Sequence, residues 1–205
     1  MSNALRSSLS ITAILLILCG GIYPAVVTVA AQLLLPAEAN GGALVEQGVV
    51  RGAKLIGQTF DDPTQWPAYF WGRPSAASVD AATSVLVSSG SNYGPLNPAL
   101  REEVSARVKA LRDSGVTGPI PVDLVTKSAS GLDPHISPAA AEIQIPRVAK
   151  ARGLSEPELR SLVAANTEGP TLGFLGEARV NVLTLNLALD AHKRVGHAAP
   201  TTSTR

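Results

Sequence analysis

The N-terminal 35 residues place the strongest constraint on how this chain can fold. No charged side chain occurs between Arg6 and Glu38, and residues 9–35 are almost entirely apolar. At about 1.5 Å per residue, a helix over this stretch spans roughly 40 Å, whereas the hydrocarbon core of a bilayer is roughly 30 Å thick. The sequence therefore predicts a single membrane anchor over residues 1–35.

A cleaved signal peptide is the alternative interpretation of this segment. Arg6 would be its charged start, residues 9–19 its apolar core and residues 28–31 its small-residue cleavage site. Signal cores usually run about 7 to 15 residues, but here the apolar stretch continues to Leu35. We expect a permanent anchor with a kink near Pro24, because proline lacks the N–H that a helix needs there.

The charges that flank the anchor predict its orientation. Arg6 and the terminal amine lie on one side, while Glu38 lies on the other with no cation before Arg51. Since positive charge favours the cytoplasmic side, the N-terminus is expected in the cytoplasm and residues 36–190 outside it. Cys19 is the only cysteine and lies inside the anchor, so this outer domain must fold without disulfides.

Composition narrows the class of partner. The chain has 17 basic and 16 acidic residues, and its net charge is +1. Such a balance creates no strong field for nucleic acid, so no nucleic-acid partner is predicted. Aromatic residues make up only 4% of the chain, which favours an aliphatic core.

Start signals for three helices indicate that the outer domain is partly helical. Asn97 with Pro98 precedes an apolar face at helical spacing, and Ser137 with Pro138 opens a second helix that Pro146 should interrupt. A capping box formed by Ser155 and Glu158 opens the third helix, because the two side chains can satisfy each other's backbone N–H groups.

Other segments predict strands and a disordered end. Residues 49–60 and 120–126 have the composition of extended chain, and residues 180–190 fit both a strand and a helix, with the helix preferred. Residues 191–205 contain too few apolar side chains to order themselves. The predicted fold class is α+β, with a single transmembrane helix followed by one domain of mixed helices and strands.

The polar residues contain the groups of one catalytic arrangement but not its surrounding motif. Ser91 and His135 with Asp123 or Asp133 supply the groups of a serine hydrolase, but no Gly-x-Ser-x-Gly sequence surrounds the serine. The sequence around His135 is equally typical of a turn that leads into the N-terminal cap of a helix. The three histidines lie far apart or near the C-terminus, so neither a catalytic residue nor a metal site is predicted.

The sequence lacks the common nucleotide-binding and phosphorylation motifs. The chain has no Gly-x-x-x-x-Gly-Lys-Ser/Thr loop and no Asp-Lys-Thr-Gly sequence. Because such a loop is what cradles phosphates in ordinary ATPases, the chain is not predicted to hydrolyse ATP itself.

Several loops carry distinctive ordered motifs: Tyr-Phe-Trp-Gly-Arg-Pro-Ser-Ala at residues 69–76, and the segments 90–92, 94–95, 97–98, 122–126, 130–138, 147–152 and 180–183. These motifs resemble those of one known family, the C subunit of the Kdp potassium-transporting ATPase. With the N-terminal anchor, the resemblance covers nearly the whole chain.

The resemblance implies an accessory subunit without catalysis of its own, in a complex of the bacterial inner membrane. Its partners would be an ATP-hydrolysing P-type subunit, a channel-like potassium-translocating subunit, a small membrane subunit and the lipid bilayer. The complex would handle ATP and potassium, so no bound cofactor is expected in this chain. The subunit would stabilise the assembly and act as a catalytic chaperone that raises ATP affinity. A membrane-anchored serine hydrolase and an unrelated extracytoplasmic binding module are the alternatives.

The predicted topology adds a hypothesis about where partners bind, because a domain outside the cytoplasm is placed to cover the outer mouth of the channel-like subunit. The candidate interface residues are Tyr69, Phe70, Trp71, Arg73, Ser91, Asn92, Asn97, Asp133 and His135. The alternative is that Phe70 and Trp71 are core residues while Arg73 binds nearby carbonyl groups. Gln144 is a candidate for nucleotide contact, with a helix-surface amide as its alternative.

Overall fold

A computed structural model describes residues 3–46, 48–58, 60, 66–75, 78–79 and 86–196. The chain divides into two compact units, Met1–Ala53 and Lys54–Arg205, each of which is described by itself. The predicted boundary after residue 35 falls inside the first unit, because that unit also includes the short elements that follow the N-terminal helix.

The first unit begins with a nearly continuous helix. Its parts are α1 (Asn3–Ile17), a π-helical turn (Leu18–Ile22) and α2 (Tyr23–Leu34). Together they form a helix of 32 residues that is long and apolar enough to cross a membrane. The irregularity expected near Pro24 takes the form of the π-helical turn, in which the Tyr23 N–H donates to the Leu18 carbonyl five residues back.

A short helix and a hairpin complete the first unit. They are α3 (Pro36–Ala39), β1 (Ala43–Glu46) and β2 (Val49–Ala53), and the two strands pair antiparallel. The extended chain predicted over residues 49–60 therefore ends at Ala53, and residues 54–56 form a turn.

The second unit contains five helices among its described residues: α4 (Pro98–Asp113), α5 (Pro138–Glu142), α6 (Ile145–Arg152), α7 (Glu156–Ala165) and α8 (Val182–Gly196). All three predicted starts are confirmed. The Asn97 side chain accepts from the Ala99 N–H, and Ser155 with Glu158 forms the complete capping box. The break at Pro146 is confirmed as well, since α5 and α6 are separate helices.

The described strands of this unit are short: β3 (Ser78–Val79), β4 (Leu86–Val87), β5 (His135–Ile136), β6 (Thr167–Glu168) and β7 (Arg179–Asn181). Strands β3 and β4 pair with each other, and the other three form an antiparallel sheet in the order β5-β7-β6. Helix α8 starts directly after β7, so the helical interpretation of residues 180–190 is confirmed from Val182 onward. The same helix enters the predicted tail, of which residues 197–205 lie outside the described residues.

The strand predicted over residues 120–126 is wrong. This segment holds a 3₁₀ turn at Val122–Leu124, in which the Leu124 N–H donates to the Pro121 carbonyl at 3.2 Å. Pro119 and Pro121 lack the N–H groups that a strand ladder requires, and this explains the difference.

The core of the second unit lies between α5–α8, the three-stranded sheet and the loop that carries Phe70. Its largest fully buried apolar side chains are Phe70, Ile145, Leu159, Leu185, Leu189, Val148 and Val180. The core is therefore aliphatic apart from one phenylalanine, and the mixed helix and strand class is confirmed.

Candidate interaction site

Two buried amide side chains hold the backbone of the 69–73 loop. Asn186 on α8 accepts from the Phe70 N–H at 2.9 Å and donates to the Phe70 carbonyl at 3.0 Å. Gln144, between α5 and α6, accepts from the Trp71 N–H at 2.8 Å and donates to the Trp71 carbonyl at 3.1 Å. Each side-chain amide thus bonds both the N–H and the carbonyl of one loop residue, as the backbone of a paired β-strand would. It supplies the hydrogen bonds that a buried backbone requires.

Gln144 uses all of its hydrogen-bonding capacity inside the chain. Besides its two bonds to Trp71, its Nε2 donates to the Ala140 carbonyl at 3.0 Å and its Oε1 accepts from Arg147 Nη2 at 2.6 Å. An amide offers two donors and two lone pairs, so the set is complete. The side chain has no exposed surface, and its interpretation as a helix-surface amide is wrong because α6 packs against the loop. Contact with a nucleotide would require one of these bonds to break.

Arg147 carries a buried charge beneath the loop. Its guanidinium lies 4.2 Å from the centre of the Trp71 ring, and Nη1 donates to the Pro67 carbonyl at 3.1 Å. Burial lowers the pKa of this group to about 10. The guanidinium therefore remains protonated at neutral pH, and its charge is stabilised by oxygen atoms and an aromatic face.

A second arginine fixes the start of the loop. Arg152 on α6 donates to the Ala68 carbonyl at 2.7 Å and pairs with Asp190 on α8 at 2.8 Å, while its guanidinium lies 4.4 Å from the Tyr69 ring centre. The Tyr69 hydroxyl donates to the same Asp190 carboxylate at 3.0 Å. Burial, and after it the charge of Asp190, raises the pKa of Tyr69. The loop is thus tied to α6 and α8 on both sides of Phe70.

Arg73 connects the end of the loop to the segment before β5. Its Nη1 pairs with Asp133 at 3.1 Å, and its Nη2 donates to the Lys127 carbonyl at 3.2 Å. The other Asp133 oxygen accepts from the His135 backbone N–H at 3.0 Å. The predicted candidates Arg73, Asp133 and His135, separated by about sixty positions in the chain, therefore form one half-buried cluster.

This cluster borders an open cleft of about 500 Å³. The cleft is lined by three carboxylates, two guanidinium groups and one imidazole, namely Asp123, Asp133, Glu177, Arg73, Arg179 and His135. Asp123 accepts from the Ser137 N–H at 2.7 Å, so part of its charge stabilises the start of α5. The cleft therefore presents charges of both signs.

The loop with Ser91, Asn92 and Asn97 is held against a different part of the chain, residues 128–131. Ser88 donates to the Ser130 carbonyl at 2.6 Å, and a side chain at Gly90 would meet the Ala129 carbonyl at 2.8 Å. Asn92 adopts φ = 50°, a left-handed conformation that asparagine tolerates better than most residues. The glycine is required because the 88–92 backbone lies directly against residues 128–131.

The hydrolase arrangement is not assembled among the described residues. His135 Nδ1 lies 3.5 Å from Asp133, but Ser91 neither donates a hydrogen bond to His135 nor lines the cleft that contains it. Asp123 is already bonded to a helix start. Within the described part of the chain, no group of three His, Cys, Asp or Glu side chains could hold a metal ion.

The predicted interface residues thus play different parts. Phe70 is fully buried and supports the loop from inside, whereas Tyr69, Trp71 and Arg73 are partly exposed. Sequence reasoning missed Asn186 and Asp190, which hold the loop from α8. A signal existed for Asn186, because a single amide interrupts the apolar residues at positions 182–189 of a predicted helix.

Comparison with known proteins gives one consistent family. The family model described as K+-transporting ATPase, c chain, matches residues 5–191. A potassium-transporting ATPase KdpC subunit of Polaromonas naphthalenivorans is 55% identical over 197 residues, which cover 95% of this chain and 98% of the relative. The KdpC subunit of Geobacter sulfurreducens is 54% identical, covering 91% and 96%. That of Geotalea uraniireducens is 55% identical, covering 87% and 92%.

Among the described residues, one helix is long and apolar enough to cross a membrane, and the second unit uses buried amide side chains to fix the backbone of its 69–73 loop. The chain belongs to the family of C subunits of potassium-transporting ATPases. It is therefore an accessory subunit of potassium import, as the resemblance in its loops predicted.

Proposed function

We propose that this chain anchors itself in the bacterial inner membrane and stabilises the potassium import complex from outside the cytoplasm. The helix at Asn3–Leu34 would be the anchor, with Arg6 on the cytoplasmic side. The partners would be an ATP-hydrolysing P-type subunit, a channel-like potassium-translocating subunit and a small membrane subunit. Family membership supports the existence of partner subunits, and the flanking charges support the orientation.

The fixed 69–73 loop is the observation that carries the docking role. Its backbone is gripped by Asn186 and Gln144, and its ends are held by Arg152 and Arg73. A loop that is already ordered loses little conformational entropy when a partner binds. The exposed parts of this loop and of the 91–97 loop would cover the outer mouth of the channel-like subunit.

The second part of the proposal is that the subunit raises the ATP affinity of the hydrolysing subunit. A domain outside the cytoplasm cannot touch ATP bound on the cytoplasmic side, and Gln144 is fully engaged within the chain. The effect would travel through the membrane helices as a coupling free energy between the two sites. Catalysis would belong to the P-type subunit.

Removal of the chain tests both parts. We expect the complex purified without this chain to show a KM for ATP that is at least about fivefold higher, since couplings between sites typically correspond to 5-fold to 150-fold changes in affinity. Potassium-dependent ATP hydrolysis would be measured over a range of ATP concentrations, before and after the chain is added back. An unchanged KM would contradict the chaperone role, and unchanged recovery of the remaining subunits would contradict the stabilising role.

Arg73→Ala tests the docking loop. The variant removes the ion pair with Asp133 and the bond to Lys127, and we expect it to reduce both the amount of this chain in the purified complex and potassium uptake. Lys109→Ala is the matched control, because Lys109 is 76% exposed and pairs with Asp113 on the surface of α4. Surface pairs of this kind contribute little to stability.

The melting temperature of each variant chain separates docking from folding. If the Arg73 variant melts like the wild type and still assembles and transports normally, its loop has no docking role.

A further inference from the structure

The connection between β6 and β7 exposes three large apolar side chains at one point. Leu172 is 79% exposed, Phe174 75% and Leu175 50%, and residues 170–176 contain no charged side chain. We call residues 170–176 the apolar tip. The other phenylalanines described in the structure, Phe60 and Phe70, belong to the core or pack against it. Exposure of a phenylalanine between two leucines marks a contact surface.

The backbone of the apolar tip is fixed in an unusual conformation. Thr171 and Leu175 exchange two backbone hydrogen bonds, at 2.8 and 2.9 Å, which close the turn. Leu172 adopts φ = 55° and Gly173 φ = 82°. A positive φ is strained for leucine, and strained backbone is characteristic of residues that bind. The turn therefore holds its apolar side chains outward before any partner arrives.

Two cations and two carboxylates surround the base of the tip, so their charges sum to zero. Glu168 on β6 pairs with Arg179 on β7 at 3.0 Å and with Lys54 at 3.6 Å, and Glu177 follows the tip directly in the chain. An apolar centre within a polar rim is the usual anatomy of a protein interface.

The charges beside the apolar tip and its small size indicate what kind of partner it binds. The apolar tip offers no cation to lipid headgroups, and the two cations beside it are balanced by two carboxylates, so attraction to an anionic membrane is weak. Three side chains cover far less than the roughly 800 Å² per partner that a stable contact between two separate proteins needs, so a second copy is a poor occupant. Within an anchored complex a small contact suffices, because the partners are held at high effective concentration.

We propose that the apolar tip inserts Phe174 and its two leucines into an apolar pocket on another subunit of the same potassium-transporting ATPase. This inference rests on the proposed function and adds a third contact to the 69–73 and 91–97 loops. Convex aromatic anchors of this kind carry a large share of the binding energy in many interfaces.

Retention in the complex tests the proposal. Full-length Phe174→Ser and Leu172→Asn chains would be expressed with the other subunits, and the half-time of their loss from the immobilised complex would be measured. We expect loss about tenfold faster than for the wild type, as for other hot-spot residues. Asparagine tolerates positive φ, so the Leu172 variant keeps the turn while removing the apolar side chain. Val87→Ser, at a half-exposed valine of β4 outside every proposed contact, should dissociate like the wild type.

A photo-reactive phenylalanine analogue at position 174 identifies the occupant. A crosslink to another subunit of the purified complex supports the proposal, whereas crosslinks only to lipid or to a second copy overturn it. Dissociation of both tip variants at the wild-type rate also overturns it. If the wild-type chain is retained in the complex and lowers its KM for ATP, and the tip variants match the wild type in both measurements, only this inference fails. If the wild-type chain itself does not assemble, the proposed function fails.

Discussion

Replacing Gln144 with leucine is expected to lower the free energy of unfolding of this chain by about 4 kcal/mol or more. The change removes four hydrogen bonds and leaves the Trp71 peptide, the Ala140 carbonyl and one Arg147 N–H group without this partner in a fully buried place. Each buried polar group left unsatisfied costs about 1 to 3 kcal/mol, and more where a charge is involved. Urea unfolding of the full chain in detergent would measure the change.

Gln144→Glu is the informative companion variant. A carboxylate can still accept from Trp71 and Arg147, but it cannot donate to the carbonyl groups of Trp71 and Ala140. We expect this variant to be less stable than the wild type and more stable than the leucine variant, because it keeps the acceptor bonds and places a negative charge beside Arg147.

The Gln144 variants also discriminate a structural role from contact with nucleotide. A structural role predicts that stability falls and that less of the chain enters the complex. A nucleotide contact predicts wild-type stability together with a raised KM for ATP. The second result would show that the buried amide becomes accessible in the assembled complex.

Asn186→Leu should have the second largest effect, a loss of about 3 kcal/mol. The variant keeps the size of the side chain but leaves the buried N–H and carbonyl of Phe70 without their partner. Because the 69–73 loop loses one of its two clamps, its backbone amides should also exchange hydrogen faster than in the wild type. Urea unfolding and hydrogen exchange of the Phe70 and Trp71 amides would test this.

Asn166→Leu is the matched control for Asn186→Leu. The Asn166 amide makes a single hydrogen bond, to the Leu162 carbonyl at the end of α7, and it is only half-buried. Its loss should cost about 1 kcal/mol, as for an ordinary hydrogen bond. Equal effects of the two asparagine variants would show that the clamp on Phe70 contributes nothing special.

The two amides act on consecutive residues, so their effects should not add. Once Asn186 or Gln144 is replaced, the 69–73 loop can move away from α6 and α8. The hydrogen bonds that the other amide makes to the loop then contribute less to stability. Coupled contacts of this kind typically show interaction energies of about 0.5 to 3 kcal/mol in double-mutant cycles. Non-additive effects would show that the loop behaves as one cooperative unit, as the proposed docking role requires.

Features that depend on nearby residues could be predicted from the sequence. An uninterrupted apolar stretch predicted the helix at Asn3–Leu34, and side-chain caps at Asn97, Ser137 and Ser155 predicted where three helices begin. At each of the three caps, the decisive hydrogen bond joins residues at most three positions apart. The ordered motifs in the loops predicted the family in the same way, because they are read along the chain.

Features that depend on packing were decided only by the tertiary structure. The sequence could not reveal that Gln144 is buried, that Asn186 clamps Phe70 from 116 positions away, or that Arg73 reaches Asp133 across 60 positions. Whether a polar side chain lies at the surface or bonds to a buried backbone depends on which distant elements pack around it. The sequence therefore determined the apolar N-terminal helix, the helix starts and the family, while long-range packing determined which polar side chains fix the 69–73 loop.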